Sequence, residues 1–242
     1  SKIKLLTVNN SSEWESYLDI FPNVDIYYHY NFLKNFTKNS NPEIHSSFCG
    51  QGYLLVFEDS SGLVINPIIK RRITEISYFN GIKEFEPYFD IISPYGYSGP
   101  LFLANDNMSN LIQSYFSNIP KFFKKENIIS EFIRFNPFLS NHNSFEDSND
   151  LKINSKVVVV DLHPDVDTLL SNMNKKTRNQ IRRSNSKGVS VSIRNDEDSI
   201  LHFSKIYLET MKFNEASRKY DFDARFFINN FTNLRDKINL FV

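Results

Sequence analysis

The spacing of apolar positions changes several times along the chain, and each change predicts an element. IKLLTV (3–8) alternates weakly and predicts a first strand. In the following SSEWESYLDIF, Trp14, Leu18 and Phe21 recur at helical spacing. Its start reads as a capping box, Ser12 accepting from the first turn and Glu15 reaching back. A second helix is expected in YHYNFLKNFTKN, with Tyr28, Phe32 and Phe36 on one side. GYLLVFEDSSGLVINPII is the clearest hairpin, two apolar runs around EDSSG in which Gly62 supplies a positive φ. Asn80-Gly81 marks another turn before an apolar strand that ends in DIISPYGYSGPLF.

The second half repeats the alternation. MSNLIQSYFSNIPKFFKKEN predicts a helix broken at Pro120, and IISEFIRF a strand. Residues 138–154 have the Asn/Ser/Asp-rich makeup of a loop or linker. A new cycle then opens: strand KVVVVDL, helix 165–186, strand VSVSIRN, helices 197–213 and 223–235, strand INLFV. The mixed order predicts an α/β or α+β fold with a mixed sheet, and the linker suggests units at 1–150 and 151–242. The chain stops at Val242 inside what reads as a buried strand. Such an edge normally pairs with something, so a piece of a longer protein is expected, with a strand edge that could also support a dimer.

Composition narrows the class. At 40% hydrophobic and 23% charged residues, a packed core is expected rather than bulk disorder. Lys+Arg and Asp+Glu balance at 28 each, which argues against a globally basic nucleic-acid binder but leaves local patches open. The lone Cys49 rules out an internal disulfide and points to a reducing, cytoplasmic setting. SKIKLLTVNN is too short and polar for a signal peptide, and the apolar runs are far below the roughly 20 residues of a spanning helix. A soluble protein without a transmembrane segment is expected.

Three stretches carry candidate chemistry. In PYGYSGP, Gly96 and Gly99 permit unusual backbone angles while Pro94 and Pro100 stiffen the flanks. Tyr95 and Tyr97 then point in fixed directions, either toward a ligand or as caps on the core. The basic helix NKKTRNQIRRSNSKG has Leu170, Met173, Thr177 and Ile181 along one face, with Gly188 suited to end it. Arg178 and Arg182 share another side. Together with Lys175, Lys176, Arg183 and Lys187 they form either a phosphate-binding face or a solvated, dipole-compensating one. YLETMKFNEASRKYDF gathers Glu209, Lys212, Glu215, Arg218, Lys219 and Tyr220 at a helix end, which could hold a carboxylate or phosphate or be an ordinary exposed terminus. His29, His45, His142, His163 and His202 show no metal-ligand spacing, and Cys49 has no nearby His, so no metal is expected. No Walker loop, GxGxxG or GxSxG is present, which leaves chemistry by positioning, or binding alone.

Five segments in order resemble the Fem-type (FemAB-like) peptidoglycan-bridge aminoacyltransferases and related acyltransferases of bacterial surface-polysaccharide gene clusters. They are YLLVFEDSSGLVINPIIKR, YFDIISPYGYSGPLF, IISEFIRFNPF, KKTRNQIRRSNSKGVSV and FSKIYLETMKFNEASRKYDFDARFFINNF. The resemblance implies tandem GNAT-like (acyl-CoA N-acyltransferase-like) domains, the second incomplete, with a cleft between them. It implies transfer of an acyl or aminoacyl group to an amine of a phosphate-bearing glycan or peptidoglycan precursor, with acyl-CoA or aminoacyl-tRNA as donor and no metal. On it, Tyr95, Tyr97 and Glu209 would be catalytic. Lys34 of YNFLK, Gly96, Arg178, Arg182, Arg183, Lys212 and Tyr220 would bind substrate. The bridge-forming enzymes carry Arg and Tyr where this chain has Phe222 and Phe226-Phe227, and the glycine-rich pyrophosphate loop of simple acetyltransferases is missing. The alternative is a non-catalytic module on the same fold that binds a nucleotide-sugar or RNA phosphate.

Overall fold

A computed structural model describes residues 1–22, 24–37, 50–146, 148, 150–217 and 220–242. The strands are β1 (Lys2–Thr7), β2 (Gln51–Asp59), β3 (Gly62–Arg72), β4 (Phe89–Ile92), β5 (Leu101–Ala104) and β6 (Ile128–Phe132). The helices of the described residues are α1 (Ser11–Leu18), α2 (Tyr30–Lys34), α3 (Met108–Lys125), α4 (Val166–Asn172), α5 (Lys175–Ser186), α6 (Glu197–Phe213) and α7 (Ala224–Asn233). The strands form one mixed, open sheet in the order β1-β2-β3-β4-β6, and β5 also pairs with β3. Every pairing is antiparallel except β4 with β6. This is an α+β arrangement.

The central hairpin is apolar on both faces because helices cover both faces. Leu54, Val56, Ile65 and Ile69 face one core together with Trp14, Tyr28, Leu33 and Phe36 from the α1–α2 region. Leu55, Phe57, Val64 and Ile68 face the other, beneath Leu111, Tyr115 and Ile119 of α3. The first core also takes in Phe222 and Phe226 at the start of α7, so residues far along the chain complete it. A pair of amides reinforces the docking. Asn35 Nδ2 donates to Asn230 Oδ1, and Asn233 Nδ2 donates to Asn35 Oδ1, each at 2.9 Å.

Gly62 turns the β2–β3 hairpin at φ 149°, and Gly188 closes α5 at φ 74° with Val189 N–H donating to the Ser184 carbonyl, as the sequence suggests. Other expectations need correction. There is no capping box at α1: the helix starts at Ser11, and Asn10 Oδ1 accepts from Thr7 instead of from the helix. Pro120 does not break α3, whose Leu111, Tyr115 and Ile119 stay buried on the sheet across it. The expected helix 165–186 is two helices, because Met173 is extended and Asn174 caps a new start by accepting from Thr177 N–H.

The largest departure is in the strands expected after residue 155. KVVVVDL forms no strand, and Val157, Val158, Val159 and Val160 are exposed. VSVSIRN and INLFV meet only briefly: Ser192 and Val242 exchange two N–H···O bonds and Arg194 N–H reaches the Leu240 carbonyl. Val189, Val191, Ile193 and Phe241 stay exposed on this ribbon. The pattern did specify extended backbone, but a strand also needs a neighbour to pair with. No residue from 151 to 199 is buried.

Candidate functional site

The site forms where a strand is interrupted. β4 and β5 run along the same edge of β3, Ile92 opposite Ile69 and Leu101 opposite Ile65. Residues 93–100 therefore stand opposite only Asn66, Pro67 and Ile68, and the surplus chain bows out as an enlarged bulge. Pro67, which has no N–H to give to a ladder, lies in the stretch of β3 that the bulge skips.

The bulge is held on all sides. Ser98 N–H donates to the Arg134 carbonyl at 2.8 Å, and Asn141 Nδ2 donates to the Ser98 carbonyl at 3.0 Å. Tyr28 Oη donates to the Gly99 carbonyl at 2.6 Å. Both glycines are needed for packing: a Cβ on Gly96 would stand 2.2 Å from the Tyr27 ring, and one on Gly99 would meet Asn141 and Phe135 at 2.8 and 2.9 Å. Their φ angles of 109° and 106° belong to glycine in any case. Tyr95 stacks on Phe36 at 5.5 Å and meets Phe222 edge-on at 5.8 Å. Tyr97 meets Tyr27 edge-on at 5.7 Å.

Beyond the carboxyl ends of β4 and β6 lies a pocket of about 400 Å³, whose wall includes Asp90, Ser93, Tyr95, Gly96, Arg134 and Tyr220. Strand ends of this kind are where open sheets commonly bind ligands. Arg71 also reaches the pocket, but its guanidinium grips the Asp90 carboxylate through two hydrogen bonds, one of 3.0 Å. Both side chains are largely buried, so this pair brings no net charge. Burial pushes the Tyr95 phenol up, with Arg134 pulling the other way, so at neutral pH its hydroxyl is a donor. Beside it, burial takes the Tyr207 phenol to about 12, and its hydroxyl donates to the Tyr220 carbonyl.

A second polar group sits on the opposite face of the same strands. Glu131 pairs with Ile91, whose side chain belongs to the α3 core, and its carboxyl accepts from Asn66 Nδ2 at 3.1 Å. Desolvation raises this carboxyl to about 7 against the single favourable amide bond.

Of the residues singled out from the sequence, Tyr95, Gly96 and Tyr220 meet at this pocket. Tyr97 packs on Tyr27 instead, while Lys34, Glu209 and Lys212 are exposed on α2 and α6 and are not in the pocket wall. On α5, Arg178 Nη1 donates to the Ser171 and Met173 carbonyls and so fastens the end of α4, and Arg182 and Arg183 are exposed. Arg218, Lys219, His45 and Cys49 lie outside the described residues. Arg71, Asp90, Ser93 and Arg134 were not anticipated. For the three charged residues the one signal is a charge set inside or just after an apolar strand, as in FDII and IISEFIRF, and Ser93 has none.

Among the described residues no group of His, Cys, Asp and Glu could hold a metal, and no helix is long and apolar enough to cross a membrane. In comparison with known proteins, no family model matches the chain, and neither a curated protein nor a solved structure matches it.

Proposed function

We propose that this chain is part of an N-acyl- or aminoacyltransferase with GNAT-like units, moving an activated acyl group to an amine of a cell-surface glycan or peptidoglycan precursor. The observation that carries the reading is the pocket at the β4 and β6 ends, where Tyr95, Gly96 and Tyr220 converge on a rigid bulge. A mixed sheet whose parallel strand pair opens onto a ligand space suits a reaction run by orientation, which alone can supply roughly 7–11 kcal/mol in favourable cases. In that reaction the acceptor amine attacks the acyl carbonyl while the Tyr95 hydroxyl donates to the oxygen that gains charge. The C–S or C–O bond to the donor then breaks, and the released CoA thiolate or tRNA ribose oxygen takes up the proton the amine loses. The donor is acyl-CoA or an aminoacyl-tRNA.

A second reading, a non-catalytic binder on the same fold, is favoured by one feature. The Asp90 carboxylate at the pocket is already held by Arg71, and the Glu131 carboxyl is turned to the other face, so neither is placed to take the amine's proton.

The test is to incubate the chain with acetyl-CoA or alanyl-tRNA and an amine acceptor, glucosamine 1-phosphate or a UDP-linked muropeptide, and to search for an N-acylated product by mass spectrometry. The expected result is product from one donor, reduced about tenfold or more in Tyr95→Phe. No product from either donor would leave the binder.

A further inference from the structure

On the reading that this pocket is the ligand site, we infer that it takes a singly charged oxyanion, a carboxylate or a phosphodiester, held by the Arg134 guanidinium and the Ser93 hydroxyl. Two cations line the pocket, and they are not equivalent. Arg71 is neutralised by Asp90 in a forked ion pair. Among the described residues the Arg134 guanidinium has no ion pair and no hydrogen bond, and the side chain is exposed. The backbone of Arg134 is nonetheless fixed at both polar groups. Its N–H donates to Ser93 Oγ at 2.8 Å, and its carbonyl accepts from Ser98 N–H at 2.8 Å.

Ser93 supplies the second donor. Its Oγ accepts from Arg134 N–H and from the Ser98 hydroxyl, each at 2.8 Å, which uses both lone pairs. The Ser93 proton then has no acceptor among the described residues, and Ser93 lines the pocket. An ionised guanidinium and a hydroxyl proton on one wall are the complement of an oxyanion. Glu131 also lines the pocket, but its carboxyl is bonded to Asn66 on the α3 side of the sheet. Among the described residues Arg134 is therefore the wall's one cation without an acidic partner, and it matches one negative charge. Besides Ser130 and Glu131, the rest of the wall is largely apolar, with Ile91, Ile92 and Pro94 beside the rings of Tyr95, Tyr220 and Phe132, so the anion should sit on an apolar or planar body. The basic helix is not the anion site on this view, since Arg178 is committed to α4.

The experiment is an amide chemical-shift titration of the whole chain with three probes of similar shape: phenylacetate, phenyl methyl phosphate and neutral 2-phenylethanol. The expected result is saturable shifts at Ser93, Gly96 and Arg134 with one or both anions. The neutral alcohol should bind at least tenfold more weakly. Arg134→Gln should weaken anion binding about tenfold or more, Arg134→Lys should restore part of it, and Arg182→Ala with Arg183→Ala should change nothing. The two anions separate a carboxylate from a phosphodiester source. Binding that survives Arg134→Gln, equal binding of the alcohol, or no pocket shifts would overturn the assignment. Because no acyl donor is present, the outcome is independent of whether transfer occurs. An anion bound here without any transferase product would retain the site and discard the transfer.

Discussion

At the scale of single residues, the glycines of the bulge make a sharp case. Gly96 lies in the pocket wall, and the space its missing side chain would fill is taken by the Tyr27 ring. Gly96→Ala combines a strained φ with a steric clash and should cost about 2 kcal/mol or more in chemical denaturation. Adding Tyr27→Leu should return part of that loss, since only the clash is relieved. Glu131 gives a pH signature. Its folded value near 7 lies above the ordinary carboxyl value of 4.5, so between these pH values the folded state holds the proton more firmly than the unfolded chain. Its contribution is therefore greatest below that window and fades as pH rises through 7, by at most about 3 kcal/mol. His29 is shifted down by burial and opposes this below about 6.5. Glu131→Gln should leave the His29 dependence and remove the loss on going from pH 5 to pH 8, seen in paired urea titrations. The sequence offered Tyr95, Gly96 and Tyr220 by residue type, but not Arg134 and Ser93, whose roles depend on which hydrogen bonds their neighbours have already used.

At the scale of elements, the hairpin, α3, α6 and α7 were legible because their apolar periodicity agrees with the burial that packing demands. The bulge was not, since a surplus of chain against β3 is a property of two strands and cannot be read from either one. The same holds for the join of α2 to α7. Asn35, Asn230 and Asn233 are unremarkable in sequence, yet Asn35 is 2% exposed and bonded to both of the others. Asn35→Ala leaves a buried amide oxygen on Asn230 and an amide group on Asn233 without their partner, a loss of about 1–3 kcal/mol. Hydrogen exchange should show α7 losing protection first, ahead of the β2–β3 hairpin. Equal loss in both elements would mean that α7 is not a separate cooperative unit.

At the scale of the molecule, the described chain divides into a packed portion and a stretch, residues 151–199, in which nothing is buried. Patterning alone could not distinguish the two, because KVVVVDL reads as apolar core whether or not a neighbour is present. The difference has a calorimetric consequence. The heat capacity gained on unfolding measures apolar surface newly wetted, about 12–15 cal/mol/K per residue for an ordinary globular chain. The exposed residues of this stretch add little and its half-buried ones, such as Leu169, Leu170, Met173 and Ile181, add part of their share, so scanning calorimetry should find a change below that expected for 242 residues by up to about 0.6–0.7 kcal/mol/K. A full-sized value would show that the valines are covered in solution. The lower value carries a flatter dependence of stability on temperature, and the protein would then tolerate cooling better than its length suggests.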